Sequence, residues 1–432
     1  MKSYLSSLWL LLLLLFGMMA YVVQDKMLAT VLTNSGDYNS YLDITPSDSA
    51  RFFELWDVEI QSDSTTTEGL EIIVELYNSY FQSTGNIQYL KKAEQALKKI
   101  IQQNTKNSGM HYTALSRNYM AQHRYEDALQ IADTVEQLDV DINRSKNLLF
   151  DMHMELGNYQ KAKMYLDSIK NTTTFEYMRR LAHWKDYKGD VQATLKLMEQ
   201  ARLKAEDEGN KKEILQSYQE LAAYYYEAAV PKKAYDYFLK VLTLDSYNMH
   251  AKKGIAKIVY FHERNANEAM RILEAISSIH NTSDYYLLKA EIASAQKDST
   301  EVYANIDYYY QSVQNPDYGS MQHPDKSDFH LNKTKQYIKA IALAKNEVIY
   351  RPSLKSYDLL AYSHFKNGDI DKALEVLEEH VSGVTHEPSI LYHKAEIYKA
   401  IGDTDKVAQL KKELLEGVFV LQPSMKIKVA KL

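Results

Sequence analysis

Four side chains able to ligate a cation fall close together at His323, Asp325, Asp328 and His330. Imidazole nitrogens and carboxylate oxygens are what zinc and related ions accept, so the stretch 314–330 is where a ligand- or metal-binding module, even an enzymatic one, could be centred. Ligand type without fixed spacing, however, equally describes a solvated loop of polar turn residues. A second set, His364, His380, His386 and His393, is dispersed along the chain. There is no phosphate loop, no Gly-x-Ser-x-Gly elbow and no His-Glu-x-x-His helix. With 0 Cys the chain lacks disulfides, thiolate metal sites and a cysteine nucleophile. No catalytic, cofactor-binding or metal residue is assigned, and the chain is expected not to be an enzyme.

The chemistry that remains is recognition, and composition narrows it. A formal charge of -6 and a pI near 6.1 argue against a nucleic-acid partner, because phosphate binding depends on a basic stripe that releases counterions. Only 14 Gly and 7 Pro in 432 residues leave little material for the turns of a β-sandwich, so helices are favoured. The 35 Tyr, against 11 Phe, suit half-buried helical seams where a ring is covered and its hydroxyl is wet.

The elements that position these residues repeat. Tyr112-x-x-Leu115-Ser116-x-x-Tyr119 followed by Tyr125-x-x-Ala128-x-x-x-Ala132 places apolar or small residues at three- and four-residue steps in two blocks, the pattern of two amphipathic helices joined by a tight turn. The template returns at Leu149 to Ile169, at Tyr218 to Val241, at Leu360 to Ala373 and at Lys394 to Gly402. A small residue opens the second helix at Ala93, Ala128, Ala162, Thr194, Ala234, Ala269, Val302, Ala340, Ala373 and Val407, a ladder of ten units at intervals of 32 to 40 residues. These residues resemble the tetratricopeptide repeat, whose period is about 34 residues. The resemblance covers Glu68 to about Glu416 and implies an all-α, right-handed solenoid of stacked helix-turn-helix repeats whose first helices line a concave groove for a protein or peptide partner. The candidate groove residues are Arg117, Asn147, Asp151, Arg179, His183, Gln219, Tyr362 and Phe365, with Ile258 placed in the same register. His153 and His364 occupy the rung usually filled by Tyr, where a packing role is expected.

The rest of the chain frames this array. Residues 1–26 hold an uncharged run from Ser3 to Gln24, expected to be either a cleaved signal peptide or a transmembrane anchor, with the bulk outside the cytoplasm in a bacterial envelope or periplasm. If uncleaved, it is the link to a membrane. Residues 27–67 are expected to be a polar spacer with one ordered element near Phe52 to Ile60. The repeats divide into 68–313 and 327–416 around an irregular break at 314–326, where Pro316, Gly319 and Pro324 rule out one regular helix. Ser327 to Tyr350 is expected to run as one long helix. The tail, 417–432, is expected to cap the last repeat through Val418, Phe419 and Leu421. No cofactor is called for, and the oligomeric state is left open.

Overall fold

The protein is described by a computed structural model covering residues 31–43, 66–103, 109–137, 142–169, 171–280, 282–381, 385–416 and 423–432. The leader, the element expected near Phe52 to Ile60, and Val418, Phe419 and Leu421 lie outside the described residues.

All regular structure in the described residues is helical. A short helix α1 (Ser35–Leu42) precedes the array. The repeats are α2/α3 (Thr67–Thr84, Ile87–Gln103), α4/α5 (Gly109–Ala121, Tyr125–Gln137), α6/α7 (Ile142–Glu155, Tyr159–Asp167), α8/α9 (Phe175–Tyr187, Val191–Glu208) and α10/α11 (Lys211–Glu227, Pro231–Leu244). They continue as α12/α13 (Met249–Phe261, Ala266–Ser277), α14/α15 (Ser283–Ala295, Ser299–Ser312), α16/α17 (His323–Asn332, Tyr337–Tyr350), α18/α19 (Leu354–Lys366, Ile370–Val376) and α20/α21 (Pro388–Ala400, Thr404–Glu416). A final helix, α22 (Pro423–Ala430), follows.

Local chemistry sets these boundaries. Asp190, Asn210, Asn248, Asn265 and Asp298 each accept a backbone N–H of the first helical turn through the side chain, satisfying a donor the helix cannot. Between paired helices one residue turns left-handed, for example His123, Gly157, Gly189, Ala229 and Lys297. The next N–H then closes on the carbonyl five residues back, as in Asn158 N to His153 O at 2.8 Å and Asp190 N to Lys185 O at 2.9 Å, the six-residue closure of a Schellman cap.

The ladder of small residues falls where the helices cross. Ala93, Ala128, Ala162, Ala234, Ala269, Ala340 and Ala373 all sit on second helices and are fully buried. Backbones approach closely enough there for Ser116 Oγ to donate to the Ala128 carbonyl at 2.8 Å, and Ser327 Oγ to that of Ala340 at 2.9 Å. A larger side chain has no room. Ala128→Leu is expected to cost about 1–3 kcal/mol by overpacking, while Ser40→Ala, on the exposed face of α1, is expected to be near neutral. Equal melting shifts in thermal denaturation would contradict this register.

Three expectations are corrected. Ser327 to Tyr350 is not one helix: Lys333 to Gln336, with Lys335 left-handed, separate α16 from α17, and the two form a repeat of their own. The irregular break shortens accordingly to a 3-10 segment, Pro316–Gln322, with Pro324 inside the first turn of α16, where a missing N–H costs nothing. The spacer is not uniformly polar either. Tyr38 is buried and donates to Glu268 at 2.7 Å, and Glu263 accepts from the backbone of Leu32 and Thr33 at 2.6 and 2.5 Å, so residues 32–42 dock on the fifth and sixth repeats. At the other end Met425 and Val429 of α22, with Leu432 beyond it, pack on the last repeats. Among the described residues no helix is long and apolar enough to cross a membrane.

Candidate partner-binding groove

The solenoid curls until its two halves touch. Turns inside early repeats meet linkers between late ones: Tyr318 donates to the Gly85 carbonyl at 2.7 Å, and Ser320 Oγ to that of His123 at 3.2 Å. Lys91 pairs with Asp317 at 3.1 Å, and Arg351 reaches Glu155 at 3.8 Å and the Tyr125 hydroxyl at 3.5 Å. Gly157 lies under the Pro352 carbonyl, and Gly189 under the His386 ring. The segment that interrupts the repeat pattern is thus the one that seals the first repeat against the seventh.

Three cavities among the described residues take up four of the expected groove residues, while Asp151, Arg179, Tyr362 and Phe365 line none of them. The first, about 740 Å³, is lined by Arg117 and Asn147 with Arg144, Lys204 and Lys212, and by the acids Glu71, Glu75, Glu176, Glu208 and Glu213. The second, about 700 Å³, takes His183 with Asp186, Glu227, Lys257 and Arg351. The third, about 760 Å³, takes Gln219.

Arg117 is exposed, and among the described residues it makes no ion pair. Surrounding protein lowers its pKa, opposed by the carboxylate of Asp151 at longer range. Asn147 offers its backbone carbonyl to Arg180 Nε at 3.0 Å and leaves its side-chain Oδ1 buried without a partner. Arg179 is occupied: Glu220 accepts from it at 3.2 Å and Asp151 at 3.5 Å. Asp151 in turn holds the fully buried Arg180 at 2.5 Å, with Glu176 closing on the same guanidinium. Burial alone would push the Asp151 carboxyl up, but Arg180 and Arg179 outweigh it and hold it below the usual carboxylate range. The row of Arg117, Asn147 and Arg179 is therefore half open and half internally paired.

Further along, His183 meets Phe150 edge-on at 6.2 Å, and burial lowers its pKa. Burial and neighbouring acids raise Asp186 to about 6 and Glu227 to about 7 in the same cavity. Glu227 is reached by water, so its penalty is partly screened. Tyr362 is buried, stacks on His393 at 3.6 Å and donates to Glu396, while Phe365 stacks on it at 5.7 Å; the pair packs repeats together and is not an open contact surface. Ile258 is also buried. The turn after α12 contains one extra residue, closing Asn265 N on Val259 O, so Lys257 takes the inward position and lines the second cavity.

The four candidate metal ligands do not converge. His323 faces Tyr350 at 5.5 Å, Asp325 accepts from Ser283 at 3.0 Å, Asp328 from Asn332 at 2.7 Å, and His330 contacts Thr334 at 3.0 Å. His153 stacks on Tyr165 at 5.5 Å, the packing role expected for it. Sequence reasoning missed Arg180, although Glu176 four residues before it was a legible cue for pairing on one helix face.

Ten helix pairs among the described residues, seven of them with a fully buried alanine on the second helix, decide the architecture. The chain is a tetratricopeptide-type solenoid. No family model and no curated protein matches its sequence. Among solved structures it is similar to Pseudomonas aeruginosa PilF (13% identity, TM-score 0.38, 50% of this chain and 96% of that one). Yeast Tom70 is similar at 10% identity and a TM-score of 0.36, over 84% of this chain and 94% of that one. A tetratricopeptide repeat protein of Parabacteroides merdae is similar at 14% identity and a TM-score of 0.37, over 56% and 93%. At these values the likeness is one of general architecture, and the assignment rests on this solenoid's own ladder.

Proposed function

We propose that this solenoid is a non-catalytic protein-interaction scaffold of the cell envelope, holding an extended acidic segment of a partner in the first cavity of its groove. The observation that carries the reading is the pairing of Arg117, exposed and without an ion pair among the described residues, with Asn147, whose Oδ1 lacks a hydrogen bond. A guanidinium and an amide lining one cavity offer donors for a carboxylate and an acceptor for a backbone N–H, the needs of an extended acidic chain. Support for an envelope location is the uncharged leader, whose retention would tether the scaffold to a membrane. Cell fractionation tests that placement, and recovery of the chain in the cytoplasm would overturn it.

The binding test uses immobilised peptides, extended and ten residues long by design, with glutamate or glutamine at alternate positions. Charge-assisted hydrogen bonds contribute about 1.5–3 kcal/mol, so Arg117→Ala should weaken glutamate-peptide capture at least about tenfold and flatten its salt dependence without lowering the melting temperature. Undiminished capture by the folded variant would place the partner elsewhere.

A further inference from the structure

The third cavity differs chemically from the other two. It forms where the end of α2 and its turn, the linker into α12, the start of α14 and the end of α15 with the 3-10 segment come together. At about 760 Å³ it has the size of a small-molecule site. Aromatic rings form part of its wall: Tyr286 and Tyr308 lie 5.5 Å apart at 31°, and Tyr247, Tyr318 and Phe81 also line the cavity. Tyr308 is 55% exposed and Tyr247 44%, so neither ring is used up in core packing.

Between the rings stand amides. Gln82, Gln311 and Gln322 line the cavity from different elements, and Gln322, donating to the Ser312 carbonyl at 2.9 Å, leaves its Oε1 buried and unpartnered. Among the described residues, cationic side chains are absent from the lining. No Lys or Arg among the described residues lines the space, and His250 and His280 are kept neutral by burial, His280 with its pKa lowered to about 4. The two acids are already engaged, Asp245 by Asn248 at 3.0 Å and Asp325 by Ser283 at 3.0 Å.

A cavity without cations gives an anionic ligand nothing to pair with, and a purely apolar ligand would strand the amides. The lining fits a molecule that is uncharged, carries many hydroxyls and still has C–H faces. Electron-rich tyrosine faces attract polarised C–H groups, and an amide presents donor and acceptor together, matching neighbouring hydroxyls that are both. We propose that this cavity binds a neutral oligosaccharide, stacked on Tyr308 and Tyr286 and held by Gln82, Gln311 and Gln322. The site is separate from the Arg117 cavity and does not depend on the partner reading.

The test is saturation-transfer NMR and calorimetry on the full chain in detergent, with cello-, malto-, xylo-, manno- and chito-oligosaccharides and a polyproline peptide as probes. At least one oligosaccharide should bind, and Tyr308→Ala should weaken it about tenfold or more, a ring-stacking loss. Tyr303→Ala, on the same helix, 76% exposed and outside the cavity, should leave binding unchanged. Failure of every oligosaccharide to bind, equal affinity in the folded Tyr308→Ala protein, or binding of the polyproline peptide alone would overturn the proposal. The last outcome would make the cavity a proline-rich peptide site instead.

Discussion

Asp151→Ala is expected to destabilise the solenoid by about 3–5 kcal/mol, more than any substitution on its exposed faces. Arg180 is fully buried and depends on Asp151 at 2.5 Å and on Glu176, while Arg179 also reaches Asp151, at 3.5 Å, and pairs with Glu220 at 3.2 Å. Removing the carboxylate leaves two guanidiniums in the α6/α8 seam with one acid fewer than they were folded around, and the cost is that of a stranded charge. Glu176 and the Asn147 carbonyl still hold Arg180, which points to the lower end of the range. Thermal or urea denaturation measures this, with Arg117→Ala as the control that removes a nearby guanidinium without breaking a pair. A loss no larger than that of the control would show the network to be solvated and dispensable.

The same network has a pH signature. Asp151 and Glu176 are both held below the usual carboxylate range, in each case because Arg180 and Arg179 overcome the effect of burial. A depressed folded-state pKa means that the stabilisation is complete above the unfolded value near 4 and is lost as pH falls through the lower folded value. Wild-type protein should therefore lose stability on acidification below about pH 4 more steeply than Asp151→Ala, which has already lost one of the two groups. Parallel acid-denaturation curves would contradict the assignment.

Gly157→Ala is the second substitution with a large expected effect, about 2–4 kcal/mol, because two penalties coincide. The residue is left-handed at φ +69, and a Cβ there would stand 2.6 Å from the Pro352 carbonyl oxygen, which is backbone and cannot rotate away. Gly209→Ala separates the two terms. Its φ of +67 is nearly the same, but nothing lies within 4 Å, so only the backbone strain of about 1–2 kcal/mol remains. The difference between the variants measures the contact that closes the third repeat on the linker before α18. Limited proteolysis supplies a second readout, since repeats 354–416 should become cleavable in Gly157→Ala and stay protected in Gly209→Ala. Equal shifts and equal protection would mean that the curl does not bring these segments into contact.

Much of the repeat unit was legible because it depends on short-range physics. Ala128 or Ala340 must be small where two helices of one pair cross, and the partners that demand it lie about a dozen residues away, within reach of a periodic pattern. The register slipped where a turn carries one extra residue: counting back from Ala269 selected Ile258, while the chain turns Lys257 inward. The α16/α17 pair was hidden for a related reason. Its first helix begins at His323 with Pro324, and the proline that looked like a breaker sits in the one turn where helices tolerate it.

The residues 32–42 were harder to place, because Tyr38 and Thr33 find Glu268 and Glu263 some 230 positions away. No local period encodes such a meeting. The sequence by itself determined the repeat period, the number of units and the small residues of most second helices, since each follows from contacts within one repeat or between neighbours. Only the tertiary structure decided how far the solenoid curls, which inward side chains share a cavity, and whether Arg117 or Arg179 keeps a free guanidinium. Small rotations between successive repeats add up along the stack, and that sum is written in no single repeat.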